Sequence, residues 1–205
     1  MTRDIQSITD VFDAIDPPLW VVTAASRGLR GGLIATFVSK ASIVPELPRV
    51  LVGLSVRHFT TELVEASGVF ALHLLRHDQF EWVERFGLTS GRTLDKFVDC
   101  SLVDSFDGPP LLLEAPARLV CRVEGKLDTG DRSIYLAAVE SGTIAASGPS
   151  VEPLTMRRAA QHLSPETLQR LREQIHEDAK HDSESILAWR TNLNAQPISK
   201  EGRIS

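Results

Sequence analysis

Residues 117 to 144 constrain this chain more than any other stretch. Ala117, Leu119, Cys121, Val123 and Leu127 fall on one side of a two-residue period, and Arg118, Arg122, Glu124 and Lys126 fall on the other. This alternation predicts a strand with one buried and one wet face, because successive strand side chains point to opposite sides of a sheet. Asp128-Thr129-Gly130-Asp131 supplies turn chemistry, and residues 133–144 are again rich in Ile, Tyr, Leu, Ala and Val. The two segments are therefore expected to pair as one long antiparallel hairpin.

Upstream the same chemistry recurs in shorter pieces. Residues 19–25, 33–38, 50–56 and 69–75 read as strands, with a Ser26-Arg27-Gly28 turn and a loop bracketed by Pro45 and Pro48 between them. Gly31-Gly32 is expected to break a strand, since glycine takes positive φ or lets another backbone or a ligand approach closely. Residues 59–67 shift to helical spacing, ending at Gly68 as a C-cap. Residues 78–86 read as a second short helix, with Phe80, Val83 and Trp82 on its buried side and Gly87 ending it. Many short strands, few helices and frequent turns argue for a closed or sandwiched β-architecture, in which closure removes exposed edges.

Beyond Pro153 the composition changes. Ser164-Pro165-Glu166 is a helix start, with serine as N-cap and proline in the first turn. Leu168, Leu171 and Ile175 follow at helical spacing, Asp178 and Asp182 interrupt the stripe, and Ile186 and Trp189 resume it. This helix is expected to pack on the barrel or on a second subunit, with a polar tail from Asn194 onward. The chain thus divides into a main domain, 1–155, and a helical extension with its tail, 156–205.

At 205 residues and 42% hydrophobic content, one substantial core is affordable. A net charge of −5 without a basic run gives no footprint for nucleic acid. No apolar run is long enough to span a bilayer, and Met1-Thr2-Arg3-Asp4-Ile5 opens no apolar leader, so a soluble cytoplasmic protein without membrane association is expected. Cys100 and Cys121 lie in separate apolar segments without a CxxC arrangement, and read as buried free thiols.

Several familiar sites are excluded. Gly87-Leu88-Thr89-Ser90-Gly91 has its serine one place too late for a nucleophile elbow, and Gly28 to Gly32 fits neither a P-loop nor a dinucleotide fingerprint. Glu173 with His176, and Asp178 with His181, have an acid-x-x-His spacing, but both lie on one helix and read as a solvated charged face. His73 and His77 straddle a strand end and read as no metal pair; His73 is expected to be a satisfied, half-buried histidine.

The run that stands out is Gly31-Gly32-Leu33-Ile34-Ala35-Thr36-Phe37-Val38-Ser39-Lys40-Ala41-Ser42-Ile43-Val44-Pro45. Glycines, small hydroxyl residues and one lysine can bring donors onto a phosphate or a flat polar heterocycle, though such a passage also serves as ordinary turn chemistry. This run resembles the glycine, small-residue and proline-loop pattern of the flavin reductase-like, FMN-binding split-barrel family. Three further blocks match in order: Arg57-His58-Phe59-Thr60-Thr61 leading to Ser67-Gly68-Val69-Phe70, then Asp95-Lys96-Phe97, then Thr129-Gly130-Asp131-Arg132. The resemblance covers roughly residues 10–155.

It implies a mostly β fold, an antiparallel split β-barrel with short helices and a C-terminal α-helix. By the same resemblance Ala35, Thr36, Ser39, Lys40, Ala41 and Ser42 line a bound FMN, or FAD, while Arg57, His58, Thr60 and Thr61 close on its phosphate and Lys96 completes the site. Read from the residues alone, Thr60 is also a helix cap and Lys96 a surface lysine. The implied activity is an NAD(P)H:flavin reductase passing electrons from NADH or NADPH through flavin to a second acceptor, with no catalytic side chain and no metal. A homodimer and a partner monooxygenase are implied as well. The alternative is a non-catalytic FMN-binding electron carrier or binding module. Gly31 stands where the family usually has asparagine, and Arg132 where it has histidine; residues 155–159 lack the aromatic residues often found there. Arg132 could meet a nicotinamide phosphate or a local carboxylate such as Asp131 or Glu140.

Overall fold

The computed structural model describes residues 4–103, 108–145 and 151–195. Seven antiparallel strands form one sheet: β1 (Trp20–Ser26), β2 (Leu29–Ala35), β3 (Val38–Lys40), β4 (Arg49–Ser55), β5 (Val69–Leu74), β8 (Ala117–Asp128) and β9 (Arg132–Ile144). Two short strands, β6 (Leu102–Val103) and β7 (Leu111–Leu112), pair separately. The sheet order is β2-β1-β5-β8-β9-β4-β3.

That order forces curvature. β2 and β3 occupy opposite edges of the sheet, yet only Thr36 and Phe37 separate them in sequence. Laid flat, seven strands would hold these edges about 29 Å apart, whereas the three Cα steps from Ala35 to Val38 reach roughly 11 Å. The sheet therefore rolls up until its edges meet at a seam, the split barrel expected from the sequence. The long hairpin β8–β9 lies at its centre, between β5 and β4.

Several expectations are corrected. Gly31 and Gly32 do not break a strand: β2 runs through both, and the interruption comes at Thr36-Phe37. A Cβ on Gly32 would lie 2.8 Å from the Phe86 ring, and one on Gly31 3.0 Å from Thr60 Oγ1 and from Leu63; these glycines admit other side chains. Leu127 is exposed rather than buried, because the register shifts between Val123 and Gly125 and inverts the alternation beyond it. The second short helix is α3 (Glu81–Val83) followed by a π-helical turn, Glu84–Leu88, so Gly87 lies inside it. Two helices were not anticipated: α1 (Ile5–Asp13) and α4 (Met156–His162).

Other local chemistry behaves as expected. Arg27 and Gly28 both take positive φ, 52° and 76°, as a tight hairpin turn between β1 and β2 requires. The helix α2 (Phe59–Ser67) ends at Gly68, whose φ of 69° makes it the left-handed C-cap. Ser164 Oγ accepts from the Thr167 N–H at 3.1 Å at the start of α5 (Pro165–Ala195). The expected tail lies, from residue 196, outside the described residues.

Two apolar clusters divide the interior. One fills the barrel with Val22, Leu33, Val52, Leu54, Phe70, Leu72, Cys121 and Tyr135, joined by Leu63 and Val64 of α2. The other packs Trp82, Val83, Phe86, Phe97, Leu112 and Leu154 against Leu19, Val21 and Leu75. His73 is fully buried: its Nδ1 meets the Val21 carbonyl at 3.1 Å and its Nε2 accepts from the Leu112 N–H at 3.1 Å. No described helix is long and apolar enough to cross a membrane.

Candidate functional site

On the outer face of β3, β4 and β9, side chains from four segments converge. Val50, Val52 and Leu54 of β4 point into the barrel, so Leu51, Gly53 and Ser55 point out. Residues opposite one another on paired strands share a face, and Ser55 is opposite Arg132 while Gly53 is opposite Ile134. Phe37 at the seam sits beside Gly53: its carbonyl accepts from the Gly53 N–H at 2.8 Å, and a Cβ on Gly53 would come 3.2 Å from that of Phe37. Phe37 is 56% exposed, and the Arg132 guanidinium lies 4.8 Å from the centre of its ring.

Where β4 ends, the Ser55 carbonyl accepts from the His58 N–H at 3.2 Å and from Thr61 Oγ1 at 2.8 Å. These bonds turn the chain into α2 and set Arg57 and His58 at the start of that helix. The third contribution is the turn between β8 and β9, which carries Arg132. Helix α5 supplies the fourth. Asp178 lies 2.7 Å from Arg57; Asp182 lies 3.6 Å from Arg57 and 3.1 Å from Arg132. Asp131 adds a carboxylate 3.3 Å from Arg132. Of the local carboxylates expected for Arg132, Asp131 is a partner, whereas Glu140 pairs with Arg122 on the same sheet.

Two buried polar atoms here have no hydrogen-bond partner among the described residues, Ser55 Oγ and His58 Nδ1. Ser55 is 4% exposed. An unpaired buried group costs about 1–3 kcal/mol and calls for a partner. Burial lowers the His58 pKa, against the opposing pull of the Asp178 carboxylate. Two guanidiniums, an imidazole and a hydroxyl beside an exposed aromatic ring suit an anionic group attached to a flat ring system. The residues present therefore fit a flavin bearing a phosphate.

The residues singled out from sequence are not equally near this cluster. Ala35 faces the barrel core, and Thr36 lies in the seam link. Ser39 is exposed on the outer face of β3, opposite Leu51; Lys40 is exposed at the end of that strand. The Ala41 N–H donates to the Arg49 carbonyl at 2.8 Å, and Ser42 Oγ accepts from the Val44 N–H at 3.1 Å, so both shape the loop before β4. Thr60 is buried against Gly31 and is not the cap, a position His58 takes. Nor is Lys96 a surface lysine. It is 7% exposed, its Nζ donates to the Gly32 and Phe86 carbonyls at 2.8 and 3.0 Å, and burial pushes its pKa down to about 8.

Sequence reasoning missed Ser55, Phe37, Asp178 and Asp182. Phe37 sat inside the run already singled out. The two aspartates were visible as an interruption of an apolar stripe, but their destination on Arg57 and Arg132 depends on where α5 crosses the barrel.

A family model described as a flavin reductase like domain matches residues 12–163 of the 205. The high molecular weight rubredoxin of Moorella thermoacetica is 27% identical over 139 residues, 67% of this chain and 58% of that protein. Diflavin flavoprotein A 1 of Synechocystis sp. is 25% identical over 128 residues, 62% of this chain but 22% of that protein. The chain therefore spans about a fifth of the length of the diflavin relatives it matches. Among solved structures, the NADH:FAD oxidoreductase of Streptomyces globisporus C-1027 in complex with NAD and FAD fragments aligns with a TM-score of 0.65 at 24% identity, over 79% of this chain and 94% of that one. A nitrilotriacetate monooxygenase component B homologue from Mycobacterium thermoresistibile aligns with a TM-score of 0.63 at 20% identity, over 79% and 90%. These two likenesses are of fold. The family match spans well over half of the chain and includes the seam, the Arg57 loop and the Arg132 turn; the chain belongs to the flavin reductase-like family.

Proposed function

We propose that the chain binds FMN on the outer face of β3, β4 and β9 and acts as an NAD(P)H-dependent flavin reductase. The observation that carries this reading is the convergence of Arg57, Arg132, Ser55 Oγ and His58 Nδ1 beside the exposed Phe37 ring. Arg57 and Arg132 would hold the phosphate, His58 and Ser55 would donate to or accept from its oxygens or the ribityl chain, and Phe37 would flank the ring system. Ser39, Thr36 and Ser42 line the approach along the seam and its loop, and Lys96 supports β2 from behind. Bound flavin would supply hydride and electron transfer, so these side chains position and neutralise instead of attacking. NADH or NADPH would be the donor; free flavin or a partner monooxygenase would be the acceptor. Exposed Ile43, Leu47 and Leu51 on the same edge support pairing with a second copy as a homodimer.

A second reading, a non-catalytic FMN electron carrier, is favoured by one feature: α5 already lies across Arg57 and Arg132 and occupies part of the space a second ligand would need there. Purification followed by absorption spectroscopy and anaerobic addition of NADH or NADPH separates the two. A yellow protein bleached by either nucleotide is expected. A yellow protein that stays oxidised leaves the carrier; a colourless one that retains no added FMN removes both.

A further inference from the structure

Helix α5 is held to the barrel unevenly. Near its start, Leu171 packs against the second apolar cluster, Arg170 pairs with Glu84 at 2.7 Å, and Gln174 donates to the Gly87 carbonyl at 3.3 Å. Farther along, the ion pairs of Asp178 and Asp182 take over, while Ile175 and Leu187 are more than half exposed. Against the turn between β8 and β9 the approach is very close: a Cβ on Gly130 would lie 2.6 Å from Trp189 Cβ and 2.7 Å from the Ser185 carbonyl oxygen. Asp178 and Asp182, four residues apart on one side of the helix, thus put two carboxylates on the two arginines that the flavin reading assigns to a phosphate.

We infer that α5 is a displaceable strap whose Asp178 and Asp182 carboxylates occupy the phosphate position, so that a phosphate-bearing flavin binds by lifting this part of the helix from the barrel. The inference rests on the flavin reading above. Arg57 and Arg132 face Asp131, Asp178 and Asp182, so the cluster carries one more negative than positive charge and has no cation to spare for a further anion. The Arg57–Asp178 pair is more than a third exposed on both sides, and pairs of that kind are individually weak. A phosphate monoester brings nearly two charges and three acceptor oxygens to the same donors, and can use Ser55 Oγ and His58 Nδ1, which α5 leaves unpartnered. Competition for one pair of arginines makes strap closure and phosphate binding oppose each other reciprocally.

The test compares the full chain with Asp178→Asn/Asp182→Asn, using FMN and riboflavin, which lacks the phosphate, as probes. Limited trypsin digestion reports α5 through cleavage at Lys180 and Arg190. Without ligand, the double variant should be cut at these sites several-fold faster than the parent, and equal rates overturn the strap whatever the ligand. The substitutions should tighten FMN about tenfold and leave riboflavin unchanged, and FMN should accelerate cleavage of the parent where riboflavin does not. Riboflavin binding with FMN affinity unmoved or weakened by the substitutions overturns the inference while leaving the flavin site standing. Failure of both flavins to bind either protein overturns the flavin reading and the competition with it.

Discussion

Two basic clusters in this molecule are buried to different ends. Behind the barrel, His73 and Lys96 each lie under 8% exposed, and each is bound by two backbone groups: Val21 and Leu112 for the histidine, Gly32 and Phe86 for the lysine. In front, Arg57 and Arg132 are part exposed and are met by carboxylates, two of them from α5, while His58 Nδ1 has no partner among the described residues. A backbone partner is fixed once the strands have formed. A side-chain partner on a separate helix can be exchanged. The first pair therefore serves the fold, and the second presents charged groups whose partners can be exchanged.

The largest effect should fall on the fixed cluster. His73→Leu takes the acceptor from the buried Leu112 N–H and the side-chain partner from the Val21 carbonyl, and should cost about 3 kcal/mol of stability in urea unfolding at pH 7. The pH dependence sharpens this. Burial pushes the His73 pKa from 6.5 down to about 4, so between these values the unfolded chain takes up a proton that the folded chain does not. The stability tied to neutral His73 is complete above pH 6.5 and is lost as pH falls toward 4, by about 3 kcal/mol. The gap between parent and His73→Leu should accordingly close toward pH 4; a gap that stays constant would mean that His73 is not held neutral.

In the front cluster the order of effects reverses. Arg132→Ala should weaken FMN about tenfold or more, the worth of a charge-assisted contact, while moving riboflavin and the unfolding midpoint little. A large loss of stability without a change in FMN affinity would erase the distinction between the clusters. The smallest effect is expected at their periphery. Gly130 has a φ of 90° and sits against Trp189 and Ser185, so Gly130→Ala should cost about 1 kcal/mol and free α5 for faster tryptic cleavage, with FMN bound no more weakly.

How far the sequence discloses all this depends on the range of the interaction. The hairpin of β8 and β9, the Gly68 cap and the Ser164 helix start are local in chain distance, and local patterning shows them. The alternation failed at Leu127 because a one-residue bulge, invisible to a period-two reading, inverts the faces. Gly31 and Gly32 announced a close approach but not what approaches, since Phe86, Leu63 and Thr60 come from elsewhere in the chain. The Gly31 to Ser42 run and the Arg57 loop were legible as candidate site material, and of these the structure brings Arg57, His58 and the seam residue Phe37 to the cluster around Arg132. Ser55 and the two aspartates were not, because a serine in a strand and an acid on a helix acquire meaning only from the elements packed against them.

The two-residue link at the seam also limits the order in which this chain can fold. Emerging from a ribosome, β1 to β5 can form the β1–β2 and β1–β5 pairs and the β3–β4 pair, but the two pieces remain separate edges of an unfinished sheet. They are joined only by β8 and β9, which lie much later in the sequence and insert between β5 and β4. Until residue 144 has left the exit tunnel, the nascent chain carries open strand edges of the kind that pair with other chains. Dependence on long-range pairing of this sort makes for slow folding. Barrel closure therefore waits until β8 and β9 are available to insert between β5 and β4, and until then the open edges are exposed to pairing with other chains.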